Sequence, residues 1–165
     1  RWWRMQDIRI KGAISFCIIL SVIVIDYASK QYALLFDQNY ILNSFITIYT
    51  MNNYGIAFSL FNNLDYLGQW ALNILIFIIL AFIAKELFTN LASSNLYLTG
   101  LSLILGGGLA NFLDRYDNSA VTDFIILHYN DIYFPAVFNI ADLSISIGAV
   151  LIIIYFMSDK TNEVY

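Results

Sequence analysis

The sequence predicts an all-α membrane protein with four transmembrane helices and a small extracytoplasmic β-sheet formed by its two long loops. Three observations predict this. Of 165 residues, 60% are hydrophobic and 12% are charged, about half the charge of an ordinary soluble domain. Four apolar runs, at about 13–36, 70–88, 96–113 and 138–157, are each long enough for a bilayer crossing, which takes about 20 residues. The two long connections, 37–69 and 114–137, carry β-branched and aromatic stretches that read as strands. A single polytopic membrane domain over 1–165 is expected. The first run exceeds the apolar region of a secretory signal, and no small-residue cleavage site follows it.

Lys and Arg set the expected orientation. Arg1, Arg4, Arg9 and Lys11 precede the first run, Lys85 lies near the end of the second, and Lys160 follows the fourth. The first long loop has no Lys or Arg, and the second has only Arg115. The positive-inside rule then puts both termini and the 86–95 connection in the cytoplasm, and the long loops on the other side. The net charge of −4, with no basic cluster beyond the N-terminal four, excludes a nucleic-acid surface. Cys17 is the one cysteine, so neither a disulfide framework nor a thiolate metal site is expected.

Each element has its own signal. Trp2 and Trp3 among basic residues read as an interfacial anchor. Asp26 and Lys30 stand at i and i+4 on one helix face. They either neutralise each other, with Lys30 snorkelling outward, or belong to a site. Phe45–Met51 reads as a strand, Asn52–Gly55 as a turn and 56–61 as a short apolar element. The second helix carries Trp70 and Lys85 near its ends and reads as packing. In the third, Gly106, Gly107, Gly108 and Ala110 suit close helix approach. Asn111, Asp114 and Arg115 follow within about a turn. The Arg115 guanidinium can hold carboxylates or carbonyls in a fork. Val121–Tyr129 reads as a strand carrying Asp123, Asn130-Asp131 as a turn, and Pro135 as the close of the loop. Asn139 is a good N-cap for the fourth helix, and Asp142 stands three positions on, where a capping box puts its acid.

Carboxylates against hydrocarbon are costly, so Asp123 and Asp142 at one interface are functional candidates as well as caps. Two converging carboxylates can act as an acid/base pair, one ionised and one protonated. Other chemistries fit poorly. Ser29 and Lys30 are helix neighbours and point about 100° apart, and His128 is the sole histidine, too little for a zinc site. A small transporter or proton-relay protein is the alternative reading of intramembrane aspartates. A scaffold without chemistry leaves their cost unexplained.

Four blocks in order, Asp26-Tyr-Ala-Ser-Lys30, Asn53-Tyr-Gly-Ile-Ala-Phe58, Gly106 through Arg115 leading to Val121-Thr-Asp123, and Phe138-Asn-Ile-Ala-Asp142, carry a resemblance over nearly the whole chain. The chain resembles lipoprotein signal peptidase (signal peptidase II), an aspartic endopeptidase family of the bacterial cytoplasmic membrane. The resemblance implies Asp123 and Asp142 as a catalytic dyad. Asn53, Gly55, Asn111, Arg115, Asn139 and Ala141 match motif positions around the family's site, and Asp26, Lys30 and Asp114 match supporting ones. It also implies a substrate: lipid-modified prolipoprotein signal peptides, cut just before a diacylglyceryl-Cys, with membrane lipid alongside and neither metal nor cofactor. Ala110 and Ser119 depart from the family's usual Gly, which bears on loop geometry.

Overall fold

A computed structural model describes residues 2–36, 40–55 and 63–162, with side chains from 5 to 158 within those segments. The 56–61 element, Ile56–Phe58 of the second block, and the side chains of Arg1, Trp2, Trp3, Arg4 and Lys160 lie outside the described residues. Among the described residues four helices are long and apolar enough to span a membrane: α1 (Trp2–Ala33), α2 (Tyr66–Thr89), α3 (Asn95–Asn118) and α4 (Ile140–Asn162). Their outward faces are hydrocarbon, for example Phe16 and Leu20 on α1, Phe77 and Phe82 on α2 and Ile153 on α4. Helices apolar on every side are the signature of a bilayer environment.

Several helix boundaries differ from the sequence reading: α1 begins at Trp2 and not near residue 13, and α2 at Tyr66 and not near residue 70. Helix α3 continues five residues past Leu113 and stops where Ser119 takes a left-handed conformation, φ 59°. Glycine is the favoured residue for such a cap, so the Ser119 departure sits where backbone freedom is needed. Helix α4 starts at Ile140, because Phe138 still belongs to a strand.

The strands are β1 (Tyr40–Ile41), β2 (Ile46–Asn53), β3 (Val121–Tyr129) and β4 (Ile132–Phe138), forming one antiparallel sheet in the order β1-β2-β3-β4. The first three positions of β4 and its Pro135 were expected to be loop. Proline lacks the N–H a ladder needs, and β4 tolerates it as an edge strand. Asn130-Asp131 joins β3 to β4 as a two-residue hairpin with Asn130 at φ 51°, the positive φ that such turns require.

Small residues pull three of the helices together. A Cβ on Gly148 of α4 would lie 2.6 Å from the carbonyl oxygen of Gly100 on α3, and one on Gly106 would lie 3.1 Å from the Ile19 backbone of α1. Leu80, Leu87, Leu98, Leu101, Leu105 and Ile19 form the buried core. Helix α2 packs mainly on α3, with Leu80 filling the space a side chain on Gly108 would need. At the end away from the sheet, Lys11 pairs with Asp7 at 3.1 Å and donates to the carbonyl of Ser93 at 3.2 Å. That bond ties the start of α1 to the α2–α3 turn.

Candidate active site

At the sheet end, α2, α3, α4, β2, β3 and β4 line a cavity of about 500 Å³, the size range of small-ligand sites. Its polar wall is Asn53, Gly55, Asn111, Arg115, Asp123, Asp142 and Ser146; the rest is apolar, including Ile76, Phe112, Leu127, Phe134 and Leu143. The structure thus brings both candidate aspartates and four of the other nine site residues to one cavity. Asn139, Ala141, Asp26, Lys30 and Asp114 form a layer behind it.

Asp123 reaches the cavity from β3, where Val121, Asp123 and Leu127 share a face at the two-residue period of a strand. Its Oδ2 accepts from Asn53 Nδ2 at 2.9 Å and its Oδ1 from Asn139 Nδ2 at 2.7 Å. Register explains the first bond: Met51 pairs with Asp123 and Asn53 with Val121, so Asn53 is the diagonal neighbour across the ladder. The side-chain oxygen of Asn53 accepts the N–H of Gly55 at 3.0 Å, and Arg115 Nη2 donates to the Gly55 carbonyl. The guanidinium fork grips a carbonyl, and so fixes the turn beside Asp123.

Asp142 comes from the first turn of α4, and its capping role is real. The N–H of Asp142 donates to Asn139 Oδ1 at 2.8 Å, and the N–H of Asn139 donates back to Asp142 Oδ2 at 3.2 Å. This reciprocal pair is a capping box. The other oxygen, Oδ1, accepts from Asn111 Nδ2 at 2.8 Å. Capping and site membership are therefore one arrangement. Asn139 holds both aspartates, one through its side chain and one through its backbone, and is fully buried.

Behind them lies a charge cluster. Lys30 Nζ stands 2.7 Å from Asp26 Oδ2 and 3.1 Å from Asp114 Oδ2, and donates to Asn111 Oδ1 at 3.1 Å. Lys30 is 4% exposed and Asp26 1%, so of the two alternatives left open for this pair, the one in which Lys30 snorkels does not hold. Its two carboxylate partners point inward, and an ammonium kept near both gains more than one drawn out along hydrocarbon. Asp26 Oδ1 accepts the N–H of Ala141 at 2.8 Å, a helix-end donor that would otherwise be unsatisfied. Asp114 Oδ2 accepts the N–H of Thr122 at 2.7 Å and so anchors the residue before Asp123.

Burial pushes the Asp123 carboxyl up to about 6, and the charge of Asp142 pushes the same way; the Asn53 and Asn139 amides and Lys30 pull it back. Desolvation and a like charge both disfavour ionisation. Two contributors were missed by sequence reasoning. The apolar wall from β4, including Phe134 and Val137, was hidden by Pro135. The Thr122 N–H is a backbone group with no sequence signal.

The family model for signal peptidase (SPase) II matches residues 18–158. Lipoprotein signal peptidase of Bartonella bacilliformis is 34% identical over 139 residues, covering 82% of each chain. That of Pelagibacter ubique is 33% identical over 168 residues, covering 96% of this chain and 99% of its own. A bacterial membrane enzyme solved by the in meso method superposes with TM-score 0.71 at 27% identity over 91% of each chain. A family match that runs through the helices and strands carrying Asp123 and Asp142, with relatives of matching span, makes this chain a member of the signal peptidase II family.

Proposed function

We propose that Asp123 and Asp142 are the hydrolytic pair with which this chain, an aspartic peptidase of the signal peptidase II type, cleaves signal peptides from lipoprotein precursors. The observation that carries the assignment is the shared cavity: both carboxylates line it, and Asn139 is bonded to both. The division of labour follows from their surroundings. Each aspartate accepts two N–H donors, but only Asp142 lies at the positive end of the α4 dipole, which suits the ionised member. Asp123, raised to about 6, suits the protonated one.

In the cleavage step Asp142 takes a proton from a water in the cavity as the water oxygen bonds to the scissile carbonyl carbon. Asp123 gives its proton to the carbonyl oxygen, which would otherwise carry the developing negative charge. Collapse of the tetrahedral species breaks the C–N bond. The proton held by Asp142 goes to the leaving nitrogen, and the gem-diol returns one to Asp123, so the pair ends as it began.

The mostly apolar cavity wall supports a substrate whose Cys already carries a diacylglyceryl group, with cleavage just before that Cys and the acyl chains still in lipid. The Lys and Arg distribution supports a cytoplasmic membrane location with both termini in the cytoplasm and the sheet outside. The charges gather at the sheet end, which favours a peptidase over a transporter with mid-bilayer polar groups. Purified protein in detergent is expected to cut a diacylglyceryl-Cys precursor peptide to a product beginning at that Cys, read by mass spectrometry. No product, or a cut elsewhere, would count against the substrate assignment. A cysteine placed at Asn130 is expected to label from outside intact cells, and labelling only after permeabilisation would reverse the orientation.

A further inference from the structure

The three asparagines that meet the aspartate pair share one feature. Each has its amide oxygen occupied by a group that can only donate. For Asn53 it is the N–H of Gly55 at 3.0 Å, for Asn139 the N–H of Asp142 at 2.8 Å, and for Asn111 the ammonium of Lys30 at 3.1 Å together with Asn139 Nδ2 at 3.1 Å. A backbone N–H and an ammonium have no lone pair to offer, so none of these amides can turn over without setting donor against donor. Each Nδ2 is therefore committed to a carboxylate: Asn53 and Asn139 to Asp123, and Asn111 to Asp142. For Asn53 and Asn139 the lock is backbone. For Asn111 it is two side chains, Lys30 from α1 and Asn139 from just before α4.

The Lys30 side chain has no freedom of its own. Its three ammonium protons face three acceptors, on Asp26, Asp114 and Asn111. We propose that Lys30 is a positioning residue for hydrolysis: with Asn139 it fixes the Asn111 amide so that Nδ2 faces Asp142, and so supports Asp142 in its ionised form. The inference rests on the reading of Asp123 and Asp142 as the hydrolytic pair. The charged groups around Asp142 are Asp26 and Lys30 on α1, Asp114 and Arg115 on α3, and Asp123 on β3. Asp26 and Asp114 are both engaged by Lys30. All four oxygens of the pair already accept one fixed donor.

The test is the pH dependence of kcat/KM on a lipopeptide, with melting temperature measured alongside. Asn111→Leu keeps both ion pairs of Lys30 and removes only the amide. Its acid limb is expected to move to higher pH by about one unit, a tenfold change in proton affinity. Its kcat is expected to fall while KM changes less than about threefold, the pattern of an interaction made mainly in the transition state. Lys30→Met is expected to move the acid limb the same way, and Lys30→Arg, again a pure donor, to bring it back toward wild type. Should Lys30→Met fail to fold, Asn111→Leu decides alone. An unmoved acid limb in Asn111→Leu overturns the proposal and leaves Lys30 as an ion-pair partner only. Failure of the pair itself reads differently: Asp123→Asn or Asp142→Asn would then turn over at the wild-type rate.

Discussion

Around Gly100 and Gly148 the helices meet backbone to backbone, whereas around Lys30 and Asp142 they meet through buried ammonium, carboxylate and amide groups. The glycine contact works by fit. It has one tight geometry, tolerates no added carbon, and leaves nothing polar to satisfy. The charged contact works by direction: a donor and an acceptor must each find the right partner. Moving an ion into a low-dielectric setting costs several kcal/mol unless it is fully paired. The far end of the bundle therefore sets how α3 and α4 lie, and the sheet end sets which atoms face the cavity. Gly107 joins the two regimes, since a Cβ there would collide with the Ala141 carbonyl, in the first turn of α4 beside Asp142.

Substitutions at the two ends are expected to separate function from stability. The largest effect is on turnover. Asp123→Asn and Asp142→Asn are each expected to lower kcat by at least about a thousandfold, because members of one catalytic unit are lost together. Each Asn keeps one of the two bonds its Asp accepts and sets its own Nδ2 against the other donor, so a modest fall in melting temperature is expected beside the much larger loss of rate. Cleavage assays on the purified variants check this. Next comes Lys30→Met, expected to destabilise by about 3–5 kcal/mol, the cost of leaving buried charge uncompensated. Denaturation of purified protein measures it, and a change below about 1 kcal/mol would place Lys30 among surface-like pairs. Smallest is Gly148→Ala, expected to cost about 1–3 kcal/mol by overpacking while the rate per folded molecule holds. A loss of rate without loss of stability there would erase the distinction between the two ends.

The parts of this design that lie close together in sequence were legible. The β3 strand has the bounds expected from its β-branched and aromatic run, and Asn139 with Asp142 forms the capping box their spacing foretells. Long-range partners were not legible. Nothing local says that Asp26 accepts the N–H of Ala141, 115 positions away, or that Lys30 turns inward; an i, i+4 pair looks the same on either face of a helix. Pro135 misled because proline argues against a strand, and only the sheet order shows that β4 is an edge. Asn53 read as turn chemistry because asparagine favours turns. It is the last residue of β2, bonding the turn with its oxygen and Asp123 with its nitrogen.

The central claim is that a protonated Asp123 and an ionised Asp142 act as a unit, and the pH profile of kcat/KM for the unmodified protein tests it most directly. That quantity reports the free enzyme's acid and base. The Asp123 carboxyl is active when protonated and is raised to about 6, so activity is retained below that point and lost as pH rises through it. Asp142 is active when ionised, so activity is also lost at low pH. A bell is expected, its two constants belonging jointly to the pair, with the alkaline limb falling near 6. A rate that stays flat from mildly acidic to strongly alkaline pH would mean that cleavage needs no protonated carboxyl, and would contradict the assignment of Asp123 as the acid.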